Sequence, residues 1–199
     1  MLKLHLSLHI ISEIFFITDL TREGSGSLLL AVGDTFEKAS HQKGKVKYYY
    51  QELVKETYNM CRQNLVMRGI NPSNMVGRNG DTLGFDYPYF DDSVKDPQNT
   101  YYPVFVDAVV ANPPYSQKYS KKDIENSPRF AEYGMPPESK ADLAFLLHGL
   151  YHLKSDGSQV IVLPHGVLFR NEELQIRRTL IVNVNRKMVY SYYRKMVHI

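Results

Sequence analysis

Residues Val106 to Tyr115 read VDAVVANPPY, a largely apolar run that leads directly into Asn-Pro-Pro-Tyr. The apolar run predicts a buried strand of a parallel sheet. Each proline fixes φ and removes a backbone donor, so the carbonyl oxygens of Asn112 and Pro113 are predicted to point away from the sheet. Open α/β sheets bind ligands at the carboxyl ends of their strands. The motif therefore predicts a site for a planar amino group beneath the ring of Tyr115.

The same four residues also fit a polyproline-type surface turn, which a proline-recognising module could bind. Such ligands usually stand in polar, disordered tracts. Here the motif follows a buried-looking strand within a regular alternation of predicted strands and helices. This context favours the binding site over the surface turn.

The bulk composition predicts one soluble domain that comprises residues 1–199. The chain is 43% hydrophobic and 23% charged, which is enough to form one sizeable core. A net charge of +3 permits nucleic acid binding without requiring it. The single cysteine, Cys61, excludes an internal disulfide framework and is typical of a cytoplasmic protein. Charged and histidine residues interrupt the apolar N-terminus, so neither a membrane span nor a secretory segment is predicted.

A glycine-rich loop separates the first predicted strand and helix of this part of the chain. The strand is expected at Ile14–Thr18 and the helix at Leu28–Lys38, with Gly24-Ser25-Gly26-Ser27 between them. Glycines in this position let a ligand approach the backbone, and the helix N-terminus offers free N–H groups. A Ser-Gly linker or a simple turn has the same composition, so a cofactor loop and a plain connection both stay open at this point.

Acidic residues follow the next two predicted strands. Glu52 comes after the strand expected at Val46–Tyr50 and lies within roughly 30 residues of the glycine loop. At about this offset, nucleotide-binding folds place a carboxylate that accepts hydrogen bonds from ribose hydroxyls. A solvated Glu at the start of the helix expected at Val54–Arg68 is the alternative. Asp81 follows a strand expected at 74–78, where a plain Asn-Gly turn is the alternative.

The segment Ser116–Pro137 is polar and proline-bearing, and it predicts a mobile surface loop. Its basic residues suggest phosphate contacts, although a solvated surface is the commoner explanation. They are Lys118, Lys121, Lys122 and Arg129.

A helix is expected at Ala141–Leu153, closed by Lys154–Gly157, and a buried strand at Ser158–Leu163. His148 and His152 lie four apart on that helix, but no third ligand is near in the sequence, so no metal site is predicted.

Taken in chain order, the glycine loop, Glu52, Asp81 and Asn-Pro-Pro-Tyr resemble the class I adenosylmethionine-dependent amino-methyltransferases. Longer phrases resemble, more narrowly, the modification subunit of type I restriction-modification systems. They are GSGSLLL at 24–30, GKVKYY at 44–49, NLVMRGI at 64–70, NGDTL at 79–83 and LPHGVLFR at 163–170. The resemblance covers about 18–181 and leaves 182–199 as a divergent tail. Members of this family are longer, so the chain is expected to be truncated at both ends.

The resemblance implies an α/β fold with a Rossmann-like, doubly wound, mostly parallel sheet, here incomplete. It implies transfer of a methyl group from S-adenosylmethionine to adenine N6 in DNA, with no metal. The residues that it assigns to the cofactor are Asp19, Gly24, Ser25, Gly26, Glu52, Asp81 and Leu83. The residues that it assigns to the reaction are Asn112, Pro113, Pro114 and Tyr115.

The implied partners are double-stranded DNA with a flipped adenine, together with the specificity and restriction subunits of a type I complex, and no membrane. One departure from the family pattern lies in the glycine loop, where Asp19 stands one residue too far from Gly24. Unless the loop absorbs this extra residue, Glu23 occupies a position that a small neutral side chain normally holds. Two alternatives therefore stay open. The chain could methylate another planar amide or amine such as a protein glutamine, or it could be a non-catalytic fragment that only associates with partner subunits.

Overall fold

The computed structural model describes residues 13–18, 26–84, 103–122, 124–183 and 188–192, with the backbone alone at 13–18, 183 and 188–192. The strands in this part of the chain are β1 (Glu13–Thr18), β2 (Lys47–Glu52), β3 (Met75–Asn79), β4 (Val106–Asn112), β5 (Leu153–Leu163) and β6 (Met188–Tyr192). The helices are α1 (Ser27–Ser40), α2 (Lys55–Met67), α3 (Asp142–Tyr151) and α4 (Leu174–Asn183), with short 3-10 turns at Pro72–Asn74, His165–Leu168 and Asn171–Glu173.

The six strands form one sheet in the order β3-β2-β1-β4-β5-β6. Each neighbouring pair is parallel. This is the order of a doubly wound fold, in which the chain reverses direction across the sheet between the first and fourth strands. The predicted Rossmann-like α/β class is therefore confirmed.

Strand β4 lies at the centre and is apolar on both faces. Because side chains alternate along a strand, Ala108 and Val110 enter one core cluster, whereas Val109 and Ala111 enter the other. Helices α1 and α2 cover the first face, and α3 and α4 cover the second. A strand buried on both sides needs an apolar run such as Ala108–Ala111.

The turn predicted at Lys154–Gly157 is wrong, because these residues lie inside β5. Their pairing with β4 is irregular: Val106 pairs with Leu153, but Ala108 pairs with Ser158. The Nζ atom of Lys154 also lies 2.9 Å from Oδ1 of Asp107 on β4. Pairing with a central strand has thus overridden the local preference of a Lys-Ser-Asp-Gly sequence for a turn, and the extra residues form a bulge.

The segment Ser116–Pro137 is folded onto the core rather than lying loose on the surface. Ile124 and Phe130 are buried in the same cluster as α3. In the region after Ile181, β6 extends the sheet and pairs in parallel with β5. Within the described residues, no helix has the length and apolar character that crossing a membrane requires.

Candidate functional site

The carboxyl ends of four neighbouring strands align at one edge of the sheet. Thr18 pairs with Asn112, Ile17 with Gln51, and Glu52 with Asn79. Since adjacent strands lie about 4.8 Å apart, Glu52 and Asn112, which are two strands apart, are separated by about 10 Å. The structure therefore brings the predicted acid on β2 and the Asn-Pro-Pro-Tyr motif on β4 to the same crevice, at the switch point between β1 and β4.

Gly26 occupies the N-cap position of α1 and fixes how the chain enters this helix. Its φ is 74°, in the left-handed region that favours glycine. A Cβ atom at this position would lie only 2.8 Å from Sγ of Cys61 on α2. Glycine is thus required twice over, and as the N-cap residue it brings no side chain of its own to the backbone N–H groups at the start of α1. The other predicted loop residues, Asp19, Gly24 and Ser25, lie outside the described residues.

Glu52 is fully buried at the carboxyl end of β2. Its Oε1 atom accepts a hydrogen bond of 2.9 Å from the backbone N–H of Val54. Burial, and then the negative charge of Glu52, raise the pKa of the Cys61 thiol to about 12. The carboxylate therefore lies close to the contact between Cys61 and Gly26, and its burial excludes the alternative of a solvated Glu at a helix start.

The segment after β3 is tied to the end of β2 by Asn79. The Nδ2 atom of this side chain donates to the carbonyl oxygens of Glu52 at 2.7 Å and Leu53 at 2.8 Å, while Gly80 N–H donates to Glu52 O at 3.0 Å. Oδ1 of Asp81 then accepts from the backbone N–H of Leu83 at 2.9 Å. Glu52 and Asp81 are thereby held at adjacent strand ends.

Arg129 is buried, and its assignment to a basic surface loop is wrong. Its guanidinium donates to the carbonyl oxygens of Thr82 at 2.9 Å and Leu83 at 2.8 Å, and to Nδ1 of His148 at 2.9 Å. It fixes the loop after Asp81 rather than contacting a phosphate. The two carbonyl partners lie 47 and 46 residues away in the chain, so nothing local in the sequence marked this arginine as buried.

His148 on α3 and His152, the residue that follows this helix, are neutral members of the core. Burial lowers the pKa of His152 to about 3, with a smaller contribution from Arg129, although Nδ1 of His152 donates to the carbonyl oxygen of Val104 and this bond opposes the shift. Burial, then His152 and then Arg129 lower the pKa of His148 well below its ordinary value. Among the described residues, no three His, Cys, Asp or Glu side chains form a group that could hold a metal ion.

The Asn-Pro-Pro-Tyr motif changes from buried to exposed along its length. Asn112 ends β4 and is partly buried, Pro113 is buried, Pro114 is partly buried, and Tyr115 is 49% exposed. The next residue, Ser116, has a φ of 55°, which is unusual for a residue other than glycine. The backbone therefore turns just after Tyr115, and Tyr115 itself is half-exposed.

One known protein family matches most of this chain. The model of the N-6 DNA Methylase family matches residues 11–192. The chain belongs to the N-6 DNA methylase family. Its described part has the parallel sheet that the resemblance implied.

Two relatives of this chain are subunits of restriction enzymes. The type I restriction enzyme MpnII methylase subunit of Mycoplasma pneumoniae is 37% identical over 169 residues, which cover 81% of this chain and 29% of the relative. The type I restriction enzyme HindI methylase subunit of Haemophilus influenzae is 28% identical over 162 residues, covering 79% and 33%. The chain thus spans about a third of the length of these curated relatives.

A solved structure supports the same assignment. The crystal structure of the type I restriction-modification system methyltransferase subunit from Streptococcus thermophilus matches this chain with a TM-score of 0.69 and 44% sequence identity. The match covers 84% of this chain and 33% of that chain. The agreement in fold and sequence therefore extends over most of the chain.

Proposed function

We propose that this chain carries the catalytic site of a DNA methyltransferase that transfers a methyl group from S-adenosylmethionine to adenine N6. The observation that carries the proposal is the position of Asn112–Tyr115 at the switch-point edge, about 10 Å from Glu52 by strand spacing. An amino-group site and a nucleotide site then face one crevice. Membership of the N-6 DNA methylase family supports this substrate class.

The residues present fit the cofactor. Gly26 keeps the backbone at the start of α1 clear of side chains, and the free N–H groups there suit the polar methionine part of the cofactor. The buried carboxylate of Glu52 suits the ribose hydroxyls. Asp81 and Leu83, held by Arg129 and Asn79, suit the adenine ring. Asp19, Gly24 and Ser25 complete the proposed set.

The cofactor supplies an electrophilic methyl group, and the chain's own residues act on the amine that accepts it. An exocyclic adenine amine is a poor nucleophile because its lone pair is delocalised into the ring. We assign to the Asn112 side-chain oxygen and the Pro113 carbonyl oxygen the hydrogen bonds that this amine donates. Positive charge develops on the nitrogen as the methyl group is transferred, so these two acceptors stabilise the transition state more than the ground state.

Tyr115 and the rigid prolines complete the proposed substrate site. Adenine N6 is inaccessible within a stacked duplex, so the base must be flipped out before transfer. The half-exposed ring of Tyr115 can stack on the flipped base, which replaces about 1–3 kcal/mol of the stacking that the base loses. Pro113 and Pro114 limit the motion of this loop, because each has a fixed φ.

The relatives' names support the proposed partners. Both curated relatives are methylase subunits of type I restriction enzymes, so we propose double-stranded DNA as the substrate and specificity and restriction subunits as partners, in the cytoplasm. Lys118 and Lys122 are exposed and Lys121 is partly exposed beside the motif, where they can contact DNA phosphates.

Calorimetric titration with S-adenosylmethionine tests the cofactor half of the proposal. We expect saturable binding by the wild-type chain, and we expect Glu52→Ala to weaken it at least about tenfold through loss of hydrogen bonds to a charged acceptor. Glu125→Ala, which changes an exposed carboxylate, is the matched control and should leave the affinity unchanged. A well-folded wild-type chain that binds no S-adenosylmethionine contradicts the proposal.

Methyl transfer to unmethylated duplex DNA, with and without a specificity subunit, tests the substrate half. We expect Asn112→Ala to abolish transfer, whereas Asn126→Ala on the exposed part of the following segment should retain it. Transfer to protein glutamine but not to DNA would favour the alternative substrate class. Full activity of Asn112→Ala on DNA refutes the assigned mechanism.

A further inference from the structure

The turn that follows Tyr115 is held by a buried carboxylate outside the Asn-Pro-Pro-Tyr motif. The backbone N–H of Ser116, whose φ is 55°, donates to Oδ1 of Asp142 at 2.7 Å. Asp142 is the first residue of α3 and is fully buried. In addition, Ala141 N–H donates to the carbonyl oxygen of Gln117 at 2.8 Å. Two consecutive residues after Tyr115 are thus bound to the start of α3.

Asp142 is itself fixed by an ion pair with Arg170. The Nη2 atom of Arg170 donates to Oδ2 of Asp142 at 2.6 Å, and Arg170 also binds both carboxylate oxygens of the buried Glu173 at 2.8 Å. Arg177 donates to the carbonyl oxygens of Arg170 at 2.7 Å and Val167 at 3.0 Å. The two oxygens of Asp142 therefore have separate tasks, one toward the Tyr115 loop and one toward the segment after β5.

We propose that Asp142 is a positioning residue for methyl transfer, which holds Ser116 and thereby sets the place of Tyr115 and the Asn112 amide at the crevice. The inference rests on the proposed function, because it assigns Asp142 a task in that reaction. In this role Asp142 does not act on the substrate directly. A non-glycine residue in the left-handed region is disfavoured, so this turn needs an external contact to persist, and a buried charged acceptor provides a strong one.

A purely structural role predicts a different outcome from a positioning role. If the ion pairs only stabilise the fold, loss of Asp142 lowers the folded fraction and leaves the activity of each folded molecule intact. If Asp142 positions the loop, the folded variant still binds the cofactor at Glu52 and Gly26, but its kcat falls. Small displacements of reacting groups can reduce a rate about 100-fold, so a loss of at least about tenfold in kcat is expected.

The chain contains no tryptophan, so Tyr115→Trp places a single fluorescent reporter on the loop itself. In this background we expect Asp142→Ala to lower the fluorescence anisotropy of the indole, because the turn loses its anchor. Asp142→Asn keeps an oxygen that can accept from Ser116 N–H and should restore most of the anisotropy. Asp107→Ala is the matched control. Asp107 also forms an ion pair, with Lys154, and it lies on the same strand as Asn112 but near the opposite end of that strand.

The same substitutions, made with Tyr115 intact, are then compared in methyl transfer at temperatures where each variant is folded. We expect the kcat of Asp142→Ala to fall at least about tenfold, while its affinity for the cofactor stays within about twofold of the wild-type value. We expect Asp107→Ala to retain the wild-type kcat. Unchanged anisotropy or unchanged kcat in folded Asp142→Ala overturns it. If the wild-type chain binds no cofactor or transfers no methyl group, the proposed function fails, and the anisotropy series still decides whether Asp142 anchors the loop.

Discussion

Acidification should destabilise this protein through His148 and His152. Both imidazoles are buried, the pKa of His152 is lowered to about 3 chiefly by burial, and that of His148 is lowered well below its ordinary value. In the unfolded chain each imidazole has a pKa of about 6.5. Because the folded pKa is the lower one, the unfolded state binds more protons between these values. The stability contributed by neutral histidine is therefore present above about pH 6.5 and is lost as the pH falls toward about 3.

The size of the effect follows from this linkage. Between about pH 7 and about pH 5.5, protonation of one unfolded imidazole lowers the free energy of unfolding by about 1.2 kcal/mol. The pair therefore accounts for about 2.5 kcal/mol, which is a large share of the roughly 5–15 kcal/mol by which a domain of this size is stable.

Urea unfolding at a series of pH values measures this loss, and variants isolate its source. His152→Gln removes one titrating group while keeping a donor for Val104, so the pH-dependent loss should shrink by about 1.2 kcal/mol relative to wild type. Titrating carboxylates affect both proteins alike and cancel in the comparison. His165→Gln, which makes the same substitution at an exposed position, is the matched control. Equal slopes for wild type and His152→Gln would refute the reasoning.

Two further substitutions test the framework of the site. Gly26→Ala should lower the free energy of unfolding by about 2–4 kcal/mol, because the new Cβ combines left-handed strain with a contact of 2.8 Å to Sγ of Cys61. Gly44 has a similar φ but open space around it, so Gly44→Ala should cost only about 1 kcal/mol. Equal losses for the two variants in urea unfolding would contradict the close contact. Arg129→Met should lower the free energy of unfolding by about 3 kcal/mol, because two carbonyl oxygens and His148 lose the donor that Arg129 provides. It should also weaken S-adenosylmethionine binding. Arg178→Met, at an exposed site, should change the free energy of unfolding by no more than about 0.5 kcal/mol. An Arg129→Met protein as stable as wild type would show that the guanidinium does not secure the loop.

The predicted fold was readable because its signals are local. An apolar run such as Val106–Ala111 must be buried on both faces, and a strand of that kind belongs in a parallel sheet covered by helices. Turn residues were less reliable, since Lys154–Gly157 reads as a turn but pairs within β5. The preference of a short segment is weak compared with the hydrogen bonds and packing that a neighbouring strand supplies.

Part of the candidate site could be predicted from the sequence for a related reason. Glu52, Asp81 and Asn112 each follow a predicted strand, and parallel strands deliver their carboxyl ends to one edge, so strand order alone is enough to bring these residues together. The supporting residues were not readable. The carbonyl partners of Arg129 lie 46 and 47 residues away, and Asp142 lies 26 residues from Ser116 and 28 from Arg170.

The sequence by itself therefore determined the class of fold, the edge of the sheet where chemistry is expected and the residue types that face it. These features follow from periodicity and from the geometry of single residues such as glycine and proline. Only the tertiary structure decided which polar residues are buried and what they hold, as with Arg129 on the loop after Asp81 and Asp142 on the turn after Tyr115. Such contacts join distant parts of the chain, and a buried polar group is stable only where the fold happens to supply its partner.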